Sequence, residues 1–436
     1  MSKSTLLCVI LCVFLSFAET KKDKQTILAR KSPTKMYSDV IISFGSFYSP
    51  EGIQEPDIFE KIEESEPDMF IWLGETLFSD SDHFDYDDEL LNLKKSPGYQ
   101  KLSKKSFITG VSDFGKSNER AKNSFFYFLG EDYHSERRQS NKLYEAFWIK
   151  TKPNPYHDGN PQHLVKVILL EVDKFEEDSE EITDEQFAWL SEELREEQEG
   201  HFLTVIASPY QILPHDKFYV DSLGIPNKLR LLKLMRRSSA PVILISGTLA
   251  YPFGEVLQYP CSKEEIGYDL YELTSSGLNS ETILDLREFN RLTVPLTFNN
   301  FTNRAYKPNF GLLRIKYNHM KPSTSEIYME IVNGHGKMLI SKSVYIPEKT
   351  RYTEKETDMR FSCANKLYSR ANTAFAVWKH LIRMVRDPEF RIYALSFFSI
   401  AIPLFLMILL CTARALGKKM GGGSRYFDEY EKYHME

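Results

Sequence analysis

Between Met69 and Leu73 every residue is apolar, Gly74 ends the run, and the acidic Glu75 follows at once. A strand buried on both faces reads as a continuous apolar run, without alternation. In α/β proteins such a strand presents its functional groups at its carboxyl end. Asp80 adds a second acid a few residues on. Similar short runs recur at Val40 to Phe44, ended by Gly45, and at Leu164 to Glu171, Phe202 to Ala207 and Pro241 to Ser246. Helical patterns lie between them: Pro56 to Ser65, Glu89 to Leu102 with a break at Pro97-Gly98, Thr183 to Glu197, and Asn227 to Arg237. Thr183 supplies an N-cap with Gln186 three residues later, a helix-start signature. Asp80 to Asp88 reads as an acidic loop. After Thr274 the pattern turns to strands, at Gly311 to Tyr317, Ile327 to Val332 and Lys337 to Tyr345, with Asn333-Gly334 as a turn. Apolar strands alternating with helices predict an α/β fold with its sheets buried between helices.

The two ends of the chain carry a different message. Lys3, the apolar Leu6 to Phe17 and the small residues Ser16 and Ala18 predict a signal peptide over residues 1–18, cleaved after Ala18. Residues 19–39 read as a polar leader. Residues 392–411 form an uncharged run long enough to cross a bilayer, with Pro403 tolerable inside a membrane helix. Basic residues flank that run on both sides, so the positive-inside rule does not orient it. The cleaved signal does, predicting a lumenal or extracellular ectodomain and a cytosolic tail over residues 412–436. That places the chain at a cell-surface or secretory-pathway membrane.

Residues 361–391 form a juxtamembrane segment that includes the amphipathic Ala374 to Arg386. In such a compartment Cys261 and Cys363 are the only ectodomain cysteines after signal removal, which allows one disulfide or leaves two thiols. Asn300-Phe301-Thr302 is a glycosylation sequon, placing Asn300 at the surface. The net charge of −6 leaves no basic footprint for nucleic acid. The membrane is the one partner the sequence names.

Several segments, in order, resemble the PhoD-like alkaline phosphatases, a branch of the metallophosphatases. Phe70 to Asp80 is similar to WLGDNIYAD, and Ile42 to Phe47 to a strand ending FGSC. Tyr86 to Leu102 resembles Y..L...PGY..L, Ile168 to Glu171 resembles ILLD, and Glu185 to Leu190 resembles EEQWKWL. Tyr210 to Pro214 is similar to IQVLP, Leu273 to Leu278 to TSSGL, and Asn309 to Gly311 to NFG. The resemblance implies a metallophosphatase-like four-layer sandwich, two mixed β-sheets flanked by helices, over residues 40–360, with one C-terminal transmembrane helix beyond it.

That family's chemistry uses carboxylates, imidazoles and a cysteine around metal ions that polarise a phosphoryl group and activate water. Carried across, the set is depleted. Phe47 stands at the cysteine position and Glu75 at an aspartate. Gly110 to Gly115 aligns with DDHDYG, leaving Ser112 and the acid Asp113. Thr248 and Ala250 replace the aspartate and histidine of SGDVH, and Glu171 and Asp173 stand in LDTR, the latter where a phosphate-binding arginine is expected. Glu75, Asp80 and Asp113 remain as vestigial metal candidates. The cofactor stays open between none and one weakly held divalent cation, and no residue is assigned as catalytic. The expectation is a membrane-anchored pseudo-phosphatase used for binding or assembly. The alternative is an active metal-dependent phosphomonoesterase or phosphodiesterase with a rearranged site.

Overall fold

A computed structural model describes residues 26–29, 37–78, 85–112, 119–152, 163–172, 181–213, 225–247, 252–280, 304–349 and 363. The signal, membrane-span and tail assignments, Ala374 to Arg386 and the Asn300 sequon all lie outside them. Among the described residues no helix is long and apolar enough to cross a membrane.

The described strands form two sheets. The first contains β1 (Thr26–Leu28), β5 (Glu145–Lys150), β6 (Leu164–Leu169), β7 (His201–Ser208), β8 (Val242–Ser246), β9 (Phe253–Gln258), β10 (Tyr271–Ser276) and β11 (Arg304–Ala305). The second contains β2 (Tyr37–Gly45), β3 (Met69–Leu73), β4 (Phe107–Val111), β12 (Asn309–Asn318), β13 (Glu326–Asn333) and β14 (Met338–Tyr345). Their spatial orders are β1-β5-β6-β7-β8-β10-β9-β11 and β14-β13-β12-β2-β3-β4. Both sheets are mixed. β6, β7, β8 and β10 run parallel, as do β2, β3 and β4, with antiparallel strands continuing each sheet. The late strands join the earliest ones, because β12 pairs with β2 from Gly311↔Phe44 to Asn318↔Tyr37.

Period-2 side-chain alternation explains the layers. Val165, Val167 and Leu169 of β6 join a core that also holds Val40, Ile42, Leu313 and Ile315 of the second sheet. The intervening Ile168, with Leu170, packs instead among Phe187, Leu190 and Leu194 of one helix (α6, Asp184–Arg195) and Leu231, Leu232 and Met235 of another (α7, Ile225–Arg237). Helices α1 (Ile58–Glu64), α2 (Tyr86–Lys95), α3 (Pro97–Lys105) and α4 (Glu119–Leu129) cover the second sheet, where Phe59, Phe70, Trp72, Tyr99 and Phe128 interlock edge-on and tilted, and the short α5 (Glu136–Gln139) follows α4. The result is helices, sheet, sheet, helices.

Local chemistry places the helix ends. Asp57 accepts from the Phe59 amide at 2.9 Å and caps α1. Asp85, read as part of an acidic loop, is the N-cap of α2, so that loop becomes helix from Tyr86 onward. The break at Pro97-Gly98 is a restart, with Pro97 beginning α3 after the extended Ser96. Thr183 caps α6 through the Gln186 amide at 3.1 Å. The Gln186 side chain does not return to Thr183; it clasps both backbone groups of Glu171, at 3.0 and 2.8 Å.

Candidate functional site at the carboxyl ends of the strands

Gly74 ends β3 with φ of 91°, a backbone that a side chain would strain, and its amide bonds Val111 on the neighbouring strand at 2.9 Å. Gly247, just after β8, approaches β3 so closely that a Cβ there would meet the Leu73 carbonyl. The ends of strands from both sheets therefore converge where the resemblance expects ligands.

Phe47 lies beside the end of β3. Its φ is 54°, the left-handed conformation that non-glycine residues seldom adopt. Two bonds hold it there. The Phe47 amide donates to the Glu75 carbonyl at 2.7 Å, and Ser280 Oγ donates to the Phe47 carbonyl at 2.9 Å. The ring is 3% exposed and tilts against Phe78 at 5.6 Å between centroids.

Polar groups around it are largely committed to one another. Ser46 Oγ donates to Ser276 Oγ at 3.1 Å, and Ser275 Oγ to Asn309 Oδ1 at 2.8 Å. Ser246 Oγ lies 2.9 Å from Thr274 Oγ1, which also accepts from Gln211 Nε2 at 2.6 Å. Glu272 is fully buried beneath them and accepts from the Ile212 and Leu213 amides at 2.9 and 2.7 Å. Burial pushes its carboxyl upward against those bonds.

Glu171 is also committed. Its Oε1 pairs with Lys122 Nζ of α4 at 2.6 Å, and its Oε2 accepts from the Leu143 amide at 2.8 Å. Lys122 is itself buried. This ion pair was not foreseen from the sequence, since its members lie 49 positions apart.

Of the three metal candidates only Glu75, half-buried after β3, is among the described residues; Asp80 and Asp113 lie outside them. So do Asp173, Thr248 and Ala250. The buried hydroxyls of Thr76 and Ser112 have no hydrogen-bond partner among the described residues. Among the described residues, neutral hydroxyls, an aryl ring, the Glu75 carboxylate and a carboxylate engaged by lysine do not by themselves make up a transition-metal centre, which needs several thiolate, imidazole or available carboxylate donors. No group of three or more His, Cys, Asp or Glu side chains able to hold a metal occurs among the described residues.

Away from the site, Cys261 and Cys363 are joined as a disulfide with Cα atoms 6.1 Å apart. Two histidines far apart in sequence meet in the fold. His163 and His319 come within 5.2 Å, both packed on Tyr317, and His319 meets Ser38 Oγ at 2.7 Å. His319, in the bend just after β12, is accordingly half-buried.

No family model matches the sequence, and no curated protein sequence matches it. Among solved structures the chain is similar to that of PhoD, at 15% sequence identity over 80% of each chain with a TM-score of 0.45.

Proposed function

We propose that this chain is a degenerate member of the PhoD-like phosphatase family, a membrane-anchored lumenal or extracellular scaffold that binds or assembles and does not turn over phosphate esters. The observation that carries this reading is Phe47. An apolar ring in a strained backbone fills the position where the resemblance expects a metal-binding cysteine. The pairing of Glu171 with Lys122 supports it, since that carboxylate is held by an ammonium and a backbone amide. Metal-assisted phosphoryl transfer needs ions held firmly enough to polarise the ester and lower the pKa of water.

The test is metal analysis of the purified protein together with an aryl phosphate assay. The expected result is no stoichiometric transition metal and no hydrolysis above that of a Glu75→Ala, Asp113→Ala variant. Metal-dependent turnover abolished by those two substitutions would overturn the proposal and establish the rearranged site instead. The anchoring is read separately: in intact microsomes, added protease should remove a carboxy-terminal tag and leave the ectodomain whole.

A further inference from the structure

A cavity of about 300 Å³ opens on the outer helical layer of the second sheet, between α2 and α4. Leu90, Leu91 and Phe128 form its apolar wall, and Tyr127, 57% exposed, stands at its rim. This is the lower end of the size range of small-molecule sites, which are mostly apolar with a few placed polar groups. Its two charged lining residues are not equivalent.

Asp87 is neutralised within the protein. Arg120 donates to its Oδ2 through Nε and Nη2 at 3.0 and 2.7 Å, and hydrogen bonds from Ser124 and then Arg120 hold its carboxyl below the usual range. Arg138 is not neutralised. It makes no ion pair among the described residues; Nη1 reaches the Glu131 carbonyl at 3.3 Å, and the guanidinium lies over the Tyr133 ring at 5.1 Å. Its Nε is buried and has no hydrogen-bond partner among the described residues. A buried, unpaired charged donor is costly unless something accepts from it.

We infer that this cavity binds an amphipathic organic anion, with an aryl or branched alkyl body between Leu90 and Phe128 and a carboxylate or sulfonate on Arg138. The guanidinium is suited to the anion because its planar fork offers parallel N–H donors. Tyr133 stacked beneath keeps the fork oriented. The inference is independent of the catalytic reading, since it uses none of the strand-end residues.

The test uses the full-length chain with naphthalene-2-sulfonate, followed by ligand-observed NMR and isothermal titration. The expected result is saturable one-to-one binding that the uncharged 2-methylnaphthalene does not match. Arg138→Gln should weaken it roughly tenfold or more, the usual loss for a charge-assisted hydrogen bond. Ser124→Trp, which fills the cavity from a half-buried position, should abolish it. Thermal midpoints of both variants within a few degrees of the parent would establish that they are folded. Should either variant unfold, Leu91→Trp and Arg138→Lys replace it. Absence of saturable binding to the parent would overturn the inference. Binding indifferent to Arg138 and to cavity filling would do so too, as would equal binding of the uncharged probe.

Discussion

The amide of Phe47 donates to the carbonyl of Glu75 at 2.7 Å, tying the end of β2 to the end of β3. The bond fixes Phe47 with φ at 54° while its ring stays buried. Backbone and side chain at this position make opposing demands. The left-handed backbone favours glycine, whereas the packing against Phe78 favours an aromatic ring.

The two demands separate by mutation. Phe47→Ala should destabilise by about 3–5 kcal/mol, the usual loss for a buried phenylalanine. Phe47→Gly removes the same ring and also relieves a left-handed residue, a strain of roughly 1–2 kcal/mol. Glycine should therefore match or exceed alanine in denaturant midpoint, a reversal of the ranking at ordinary backbone angles. The ordinary ranking, with alanine clearly better, would mean that Phe47 is not left-handed in solution.

Lys122 and Glu171 make a second separable pair. Both are largely shielded, and their 2.6 Å contact joins α4 to the segment after β6. Removing one member should cost about 3–5 kcal/mol because it strands the other charge. Lys122→Met should be the harsher change, and adding Glu171→Gln to it should restore part of the loss. Urea denaturation of the two single variants and the double variant closes the cycle. Additive losses would show that the two charges do not interact.

The strands most visible in the sequence are those whose neighbours are apolar on both faces. Met69 to Leu73 matches β3 residue for residue, and Pro241 to Ser246 differs from β8 only at its first position. Strands with polar interiors escaped. β9 carries Glu255, buried against Arg304 of β11 at 2.6 Å, so its composition resembles a loop. β4 and β5 and the helix α4 were missed as well. Phe107, Thr109 and Gly110 make a weak strand pattern, and the Lys122 face of α4 makes sense only beside Glu171. The site was legible in the same uneven way. The depleted ligand set is an expectation read from residue identities alone, while the left-handed Phe47 and the Lys122 pairing depend on residues distant in sequence.

Half-buried Glu145 and buried His163 should shape the acid response in opposite directions. Burial raises the Glu145 carboxyl from 4.5 to about 7, with Arg137 only partly offsetting it. The stability contributed by protonated Glu145 is full below 4.5 and disappears as pH rises through about 7. Burial lowers His163 from 6.5 to about 4, with His319 adding to the effect. Neutral His163 therefore contributes stability that is full above 6.5 and disappears as pH falls through about 4. Thermal midpoints measured across that range separate the two. Glu145→Gln should leave a curve that falls more steeply on acidification, and His163→Phe one that falls less. A curve unchanged by either substitution would mean that the group titrates normally in the fold.

The disulfide bears on the segment after β14. Lys349 reaches the end of α7, accepting positions being the Met235 carbonyl at 3.4 Å, the Ser238 carbonyl and Ser238 Oγ at 2.8 Å. A cation over the last carbonyls of a helix is favoured by their exposed dipoles. Farther on, the Cys363 amide donates to Glu265 Oε1 at 2.8 Å beside the Cys261 bond. The chain leaving the second sheet is thus fastened twice to the helical face of the first. Cys261 and Cys363 are 102 positions apart, and closing a loop of that size stabilises by up to about 4.7 kcal/mol in the chain-entropy model. Cys363→Ser should therefore lower the thermal midpoint markedly, and reducing agent should lower the parent's midpoint without moving the variant's. Lys349→Met should add a smaller loss that persists in reducing agent. Non-reducing peptide mapping provides the direct check: a Cys261–Cys363 linked peptide is expected, and two alkylatable thiols would remove the first of the two fastenings.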